Sequence, residues 1–420
     1  MIKTVPLQQG VTLRCCVDTR LKTNCLSVQL VRPMCRQEAA ANALVAAVLL
    51  RGTQKHPDLR DITLLLDDMY GASVGTLVRR VGDYQTSGFY CSFTGDRYLM
   101  DGDTVLEPMI GFVEELLLQP RMQDGGFYPS FVEGEKRNTL AALEAQKNDK
   151  RVYASDRLLA NMGKEDTLGI PKLGEPQQVM ALQPDTLYAH YMKMLRESRM
   201  EFFYVGSREP EEVAQLLKPM VAKIERDYQP LPAQTPFQDG GKTRDEEAME
   251  VTQGRLQMGF ISPSTVGTAD FVPMQVLNMV FGAGMTSKLF MQVREKMSLC
   301  YDIGSSYQGS KGILTVGVGM EHSKAQTVEK EILHQLEECQ KGNITLQELE
   351  NARQALLSAL RGTPDSAASI ENYFATAALS GLNLTLQQYM EQVEQVTVEK
   401  LAELAKKVQL HSVFLLKGVQ

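Results

Sequence analysis

The sequence predicts an α+β fold of two homologous domains, each a mostly antiparallel sheet packed against helices. Three observations predict it: the chain's length, a repeat of strand and helix signals in its two halves, and a linker-like stretch between them. At 420 residues the chain exceeds what a single hydrophobic core usually supports.

The repeat begins with Leu26-Ser27-Val28-Gln29-Leu30 and Leu256-Gln257-Met258-Gly259-Phe260, which alternate as half-buried strands should. A proline follows each strand (Pro33, Pro263), and then an apolar helix that ends near glycine, Gly52 or Gly282, a suitable C-cap. Phe131 to Leu143 and Leu349 to Leu360 both read as amphipathic helices that continue into a second helical stretch. Val179 to Leu187 then resembles Val393 to Leu401, and each leads through a helix to a closing strand, Phe202 to Gly206 and Val413 to Gly418. Segregated strands and helices in a duplicated unit are the α+β signature. Pro230, Pro232, Pro236 and Gly240-Gly241 mark the linker, giving an N-terminal domain over 1–226, a linker over 227–247 and a C-terminal domain over 248–420.

Composition narrows the function. Hydrophobic residues make up 43% and charged residues 23%, a globular balance. A net charge of −7 argues against a binder of nucleic acid or anionic lipid. The longest apolar run, Ala43 to Leu50, is too short for a membrane span, and Met1 to Pro6 lacks a signal-peptide pattern. Seven scattered cysteines without a CxxC pair fit thiols in a reducing cytoplasm. Among the five histidines none pairs with another at ligand spacing, and His334 with Glu337 reads as a solvated helix face. No Gly-x-Ser-x-Gly elbow, His-Glu-x-x-His or phosphate loop occurs, and Cys300 is the one suggestive nucleophile.

Two segments carry the chemistry. The first is Ala43-Leu44-Val45-Ala46-Ala47-Val48-Leu49-Leu50-Arg51 followed by Gly52-Thr53. Alone it reads as a buried alanine helix. The second runs from Gly282-Ala283-Gly284 to Tyr301, with Thr286 or Ser287 as helix cap and Met285, Leu289, Val293 and Met297 as the expected buried stripe.

Together with the repeat, these segments resemble the pitrilysin/insulinase family, in its mitochondrial-processing-peptidase-like branch. The resemblance spans nearly the whole chain, with an extended stretch near Phe93 to Leu106. Active members bind zinc through His-x-x-Glu-His ahead of Gly-Thr and through a glutamate on a later helix. On that pattern the two histidines fall on Ala43 and Ala47, the general-base glutamate on Ala46, and the later glutamate on Ala142. Methyl groups cannot bind zinc, so the resemblance implies no cofactor in this chain. It also implies substrate-binding roles for Arg294 and Tyr301, whose guanidinium and phenol suit a peptide carbonyl and its developing oxyanion. The Gly282-Ala283-Gly284 loop would let backbone approach an extended peptide.

The implied function is that of a catalytically inactive, substrate-binding subunit. A homologous partner would bring the zinc site, and the pair would close a clamshell chamber around unfolded peptides or leader segments. Neither nucleic acid nor membrane is an expected partner. The other reading is a non-proteolytic scaffold or adaptor, as in respiratory-complex core subunits; a related branch is linked by name to modification of elongation factor P.

Overall fold

A computed structural model describes residues 2–418. Its strands and helices follow in chain order β1 (Ile2–Gln8), β2 (Val11–Val17), β3 (Thr23–Pro33), α1 (Ala39–Leu49), α2 (Leu59–Asp68), β4 (Ser73–Val81), β5 (Tyr84–Thr94) and α3 (Leu106–Leu118). Next come the short pair β6 (Met122–Gln123) and β7 (Gly126–Phe127), then α4 (Pro129–Asn148), α5 (Lys150–Met162), α6 (Pro176–Ala181), α7 (Pro184–Glu197), β8 (Arg199–Gly206) and α8 (Pro210–Val221). The second half supplies β9 (Thr243–Met249), β10 (Gly254–Ile261), α9 (Phe271–Asn278), β11 (Asp302–Gln308), β12 (Ile313–Met320), α10 (Ala325–Lys341), α11 (Leu346–Gly362), α12 (Ala367–Ser380), α13 (Leu386–Gln395), α14 (Val398–Ala405) and β13 (Gln409–Gly418).

Two compact units form. The first takes residues up to Leu143, Pro171–Ala233 and Thr363–Leu379; the second takes Glu144–Ile170, Gln234–Gly362 and Ser380 onward. Each unit therefore includes one segment from the opposite half of the sequence.

The duplication is visible in the strand order. Sheet one runs β1-β2-β8-β3-β5-β4 and sheet two runs β11-β12-β10-β13-β9. Reversing the second gives the first without β1. Each sheet has one parallel pair, β2 with β8 and β9 with β13, among antiparallel neighbours. Local geometry repeats as well: α6 breaks into α7 at Leu182-Gln183, and α13 breaks into α14 at Val396-Thr397. All four residues are extended.

The alternation in β3 misleads about its polar face. Ser27 and Gln29 are buried, not solvated, because α12 lies over them and supplies Glu371. Cys25, Phe203 and Val205 pack against Ala367, Ile370 and Ala375 around that contact. On the sheet's other face the core of unit one gathers Leu26, Val28 and Leu30 with Leu44, Val45 and Val48 of α1. In unit two α5 takes the place that α12 has in unit one, packing Ala154, Leu158 and Met162 against Ile313, Phe414 and Leu416.

Between Ala222 and Lys242 no helix or strand of any length forms, and Thr243–Met249 joins sheet two as β9. The stretch is nonetheless fastened. Tyr228 lies against Gly10 and Tyr84 Oη donates to the Pro232 carbonyl in unit one, while Gln238 N donates to Asp166 Oδ2 in unit two.

Candidate functional site

In unit one, α1 is built from alanine because it is enclosed. Ala43 and Ala46 are buried, Ala47 is half-buried, and Ala46 belongs to the main core. Ala142 lies on α4 with its side chain exposed, as does Glu144. None of the four alanines can donate an electron pair to a metal, so these positions do not fit the zinc that active family members bind. No cluster of three or more histidine, cysteine or acidic side chains able to hold a metal occurs among the described residues.

The Gly-Thr landmark has a structural role of its own. Helix α1 stops at Leu49, and Gly52 is not a left-handed cap; a Cβ there would stand 2.6 Å from the Pro57 carbonyl oxygen. The expected C-cap role is thus replaced by close backbone approach. Thr53, fully buried, accepts from His56 N at 2.9 Å and donates to Glu115 at 3.3 Å. Glu115 also holds His56 Nδ1 at 2.7 Å and Lys55 at 3.2 Å, fixing the turn to α3. This network ties Gly52-Thr53 into the packing between α1 and α3.

A polar chain beside Ala43 escaped the sequence reading. Asn42, buried within α1, donates to Gln85 Oε1 at 2.9 Å, and its Oδ1 accepts from His190 Nε2 at 2.8 Å. Gln85 passes its amide protons to the carbonyls of Ala39 and Lys172. Burial holds His190 below its usual pKa, which favours the neutral ring. The lone asparagine in an alanine run was the available signal.

In unit two the glycine-rich segment forms two π-helical stretches, Met279–Ala283 and Leu289–Lys296. Gly282 lies inside the first, so it is not a C-cap; its missing Cβ would sit 2.7 Å from Ser305 Oγ of β11. Ala283 is exposed and Gly284 half-buried. Ser287 rather than Thr286 caps the second stretch, accepting from Phe290 N at 3.3 Å. Leu289 and Val293 are buried as expected, but Met285 is 78% and Met297 44% exposed. The physical reason is the winding. Met285 precedes the helix, and a π-turn closes with Met297 N donating five residues back to Gln292 O, which rotates Met297 out of the apolar stripe.

Arg294 and Tyr301 both reach the surface. Arg294 stacks over the Phe290 ring at 4.6 Å, with Glu295 its nearest carboxylate at 3.8 Å. Tyr301 is 51% exposed and its backbone is pinned by Gly319 O at 2.8 Å. No hydrogen bond joins the two side chains among the described residues. Met285, Met291 and Met297 of the same segment are exposed as well, and flexible thioethers adapt to varied contacts.

The structure gives no support to a relocated nucleophile. Burial and the Asp302 carboxylate push Cys300 up to about 11, so it is a thiol at neutral pH. Ser412, His411 and Asp239 do form a hydrogen-bonded chain, at 2.7 Å and 2.8 Å. Ser412 is wholly buried and bonded to Thr243, so substrate cannot reach it. His334 and Glu337 stand 4.0 Å apart on an exposed face.

Residues 181–356 match the peptidase M16 inactive domain. Over that segment the chain is a homologue of M16 peptidases. M16 is the pitrilysin/insulinase family that its motifs resemble. This homologue is 26% identical over 411 residues to the probable inactive metalloprotease YmfF of Bacillus subtilis strain 168, spanning 98% of this chain and 96% of that one. A conserved protein from Enterococcus faecalis V583 superposes with a TM-score of 0.91 at 26% identity, covering 100% of this chain and 99% of its own. The peptidase M16 inactive domain from Pseudomonas fluorescens shares the fold at a TM-score of 0.82 and 16% identity, covering 100% of this chain and 98% of the other. No helix among the described residues is long and apolar enough to cross a membrane.

Proposed function

We propose that this M16 homologue is a catalytically inactive, substrate-binding subunit that works with a zinc-bearing relative on unfolded peptides or leader segments. The observation that carries the reading is the contrast between the two halves. Alanine stands at every position the family uses for zinc chemistry, whereas Arg294 and Tyr301 reach the surface in a segment with three exposed methionines, and neither has a strong side-chain partner among the described residues. A guanidinium and a phenol there can donate to peptide carbonyls, and methionine side chains adapt to varied sequences. The partner would contribute the metal; this chain would hold and orient the peptide. The unbridged cysteines support a reducing cytoplasm as the site of action.

Co-purification tests this. The chain, tagged in its native cell, should recover a relative carrying His-x-x-Glu-His. The assembled pair should cleave an unstructured peptide, and Arg294→Ala or Tyr301→Phe should slow cleavage by roughly tenfold or more while leaving assembly intact. Full cleavage by the partner alone, or assembly without cleavage, would instead favour the scaffold reading. Stoichiometric zinc in the isolated chain would contradict both.

A further inference from the structure

In unit one the polar side of the sheet holds a carboxylate. Glu371 receives Ser27 Oγ and Gln29 Nε2, each at 2.8 Å, and both ends of the Arg79 guanidinium at 3.0 and 2.7 Å. Serine, glutamine and arginine on one sheet face therefore form a carboxylate cradle that the chain fills itself.

Unit two repeats the sheet and carries the same donor types on the corresponding face, yet no glutamate enters it. Helix α5 packs close at one end, where Gly259 makes room for Met162. Near its other end it contributes Arg151 and Ser155 to the wall of a cleft of about 370 Å³. The strand register aligns Gly304, Gly317 and Gln257 in one row and Asp302, Gly319 and Arg255 in the next. Glycines at 304, 317 and 319 leave the floor bare, so Gln257 and Arg255 reach across it; a Cβ on Gly317 would meet the Gln257 amide at 3.0 Å.

Gln257 decides what the cleft is for. It is 4% exposed and lines the cleft, and its side chain makes no hydrogen bond among the described residues. The residue is almost wholly enclosed, yet its unpaired amide opens onto the cleft, where a ligand can pair with it. Arg255 gives Nη1 to both oxygens of Asp302, leaving Nε and Nη2 without a protein acceptor among the described residues. Among the described residues Arg151 has no carboxylate closer than Asp149 at 3.9 Å. The donors outnumber the acceptors.

We propose that this cleft binds a carboxylate presented by a peptide, held by Arg151, Arg255 and the Gln257 amide much as Glu371 is held in unit one. The carboxylate can come from a chain terminus or from an acidic side chain. The site belongs to this chain alone and is tested without any partner, so its failure and that of the two-subunit reading are separable.

Calorimetric titration of the full chain would use three N-acetylated Gly-Ser hexapeptides. One has a free C-terminus, one is amidated, and one is amidated with an internal glutamate. The free-terminus or the glutamate peptide should bind, whichever is the source, and the neutral amide should not. Arg151 is 71% exposed, so Arg151→Glu should keep the melting temperature while weakening binding roughly tenfold or more. Gly317→Ala, which crowds the Gln257 amide, should weaken it too. Equal binding of all three peptides, no binding at millimolar concentration, or unchanged affinity in both variants would overturn the proposal.

Discussion

Alanine at 43, 46 and 47 does two things at once: it offers no imidazole or carboxylate donor, and it lets α1 sit within the core of unit one. Residue identity alone made the first point legible, since no arrangement of methyl groups coordinates a cation. It could not distinguish enclosed from exposed positions, and Ala142 proves exposed while Ala43 and Ala46 are buried. Cys300 shows the same limit. As a letter beside Tyr301 it suggests a nucleophile, but burial raises it from 9.0 to about 11. The thiolate fraction then falls roughly a hundredfold at pH 8 relative to an ordinary thiol. Peptide-resolved iodoacetamide labelling should therefore be about a hundredfold slower in the folded chain than in urea, rising about tenfold per pH unit between pH 8 and pH 10. Equal rates in both states would show an accessible, unperturbed thiol.

At the scale of elements, helix periodicity and the repeat located α4, α11 and their continuations, because an amphipathic stripe is a local property. The second π-helical stretch was not legible, since its sequence has an ordinary helical period and only the wider turn turns Met297 outward. The β3 alternation marks the strand but not its environment. A polar face is satisfied as well by a covering helix as by water, provided that helix brings partners. Glu371 is that partner, fully buried and bonded to three side chains. Glu371→Ala leaves the Arg79 charge and two buried donors unmatched, which should cost about 3 kcal/mol in urea unfolding. A loss below about 1 kcal/mol would mean that apolar packing alone holds α12 on the sheet.

At the scale of the molecule, the compact units interleave along the chain. Unit one contains Thr363–Leu379 and unit two contains Glu144–Ile170. Residues 1–226 expressed alone would lack α12, leaving Ser27 and Gln29 with no Glu371 and an apolar face uncovered. That fragment should fail to unfold cooperatively, and co-expression with residues 227–420 should restore a cooperative transition; a stable 1–226 fragment with a sharp melt would refute this.

The sequence by itself determined the duplicated α+β plan, the family resemblance and the loss of metal donors, because these follow from periodicity, repeat and residue chemistry read along the chain. Tertiary structure decided what the polar faces of the two sheets are for. Ser27, Gln29 and Arg79 meet a glutamate more than 290 residues away, whereas Gln257 and Arg255 meet a glycine-floored cleft. Burial and hydrogen-bond partnership at such separations are set by which helix returns to which sheet, and no local pattern records that.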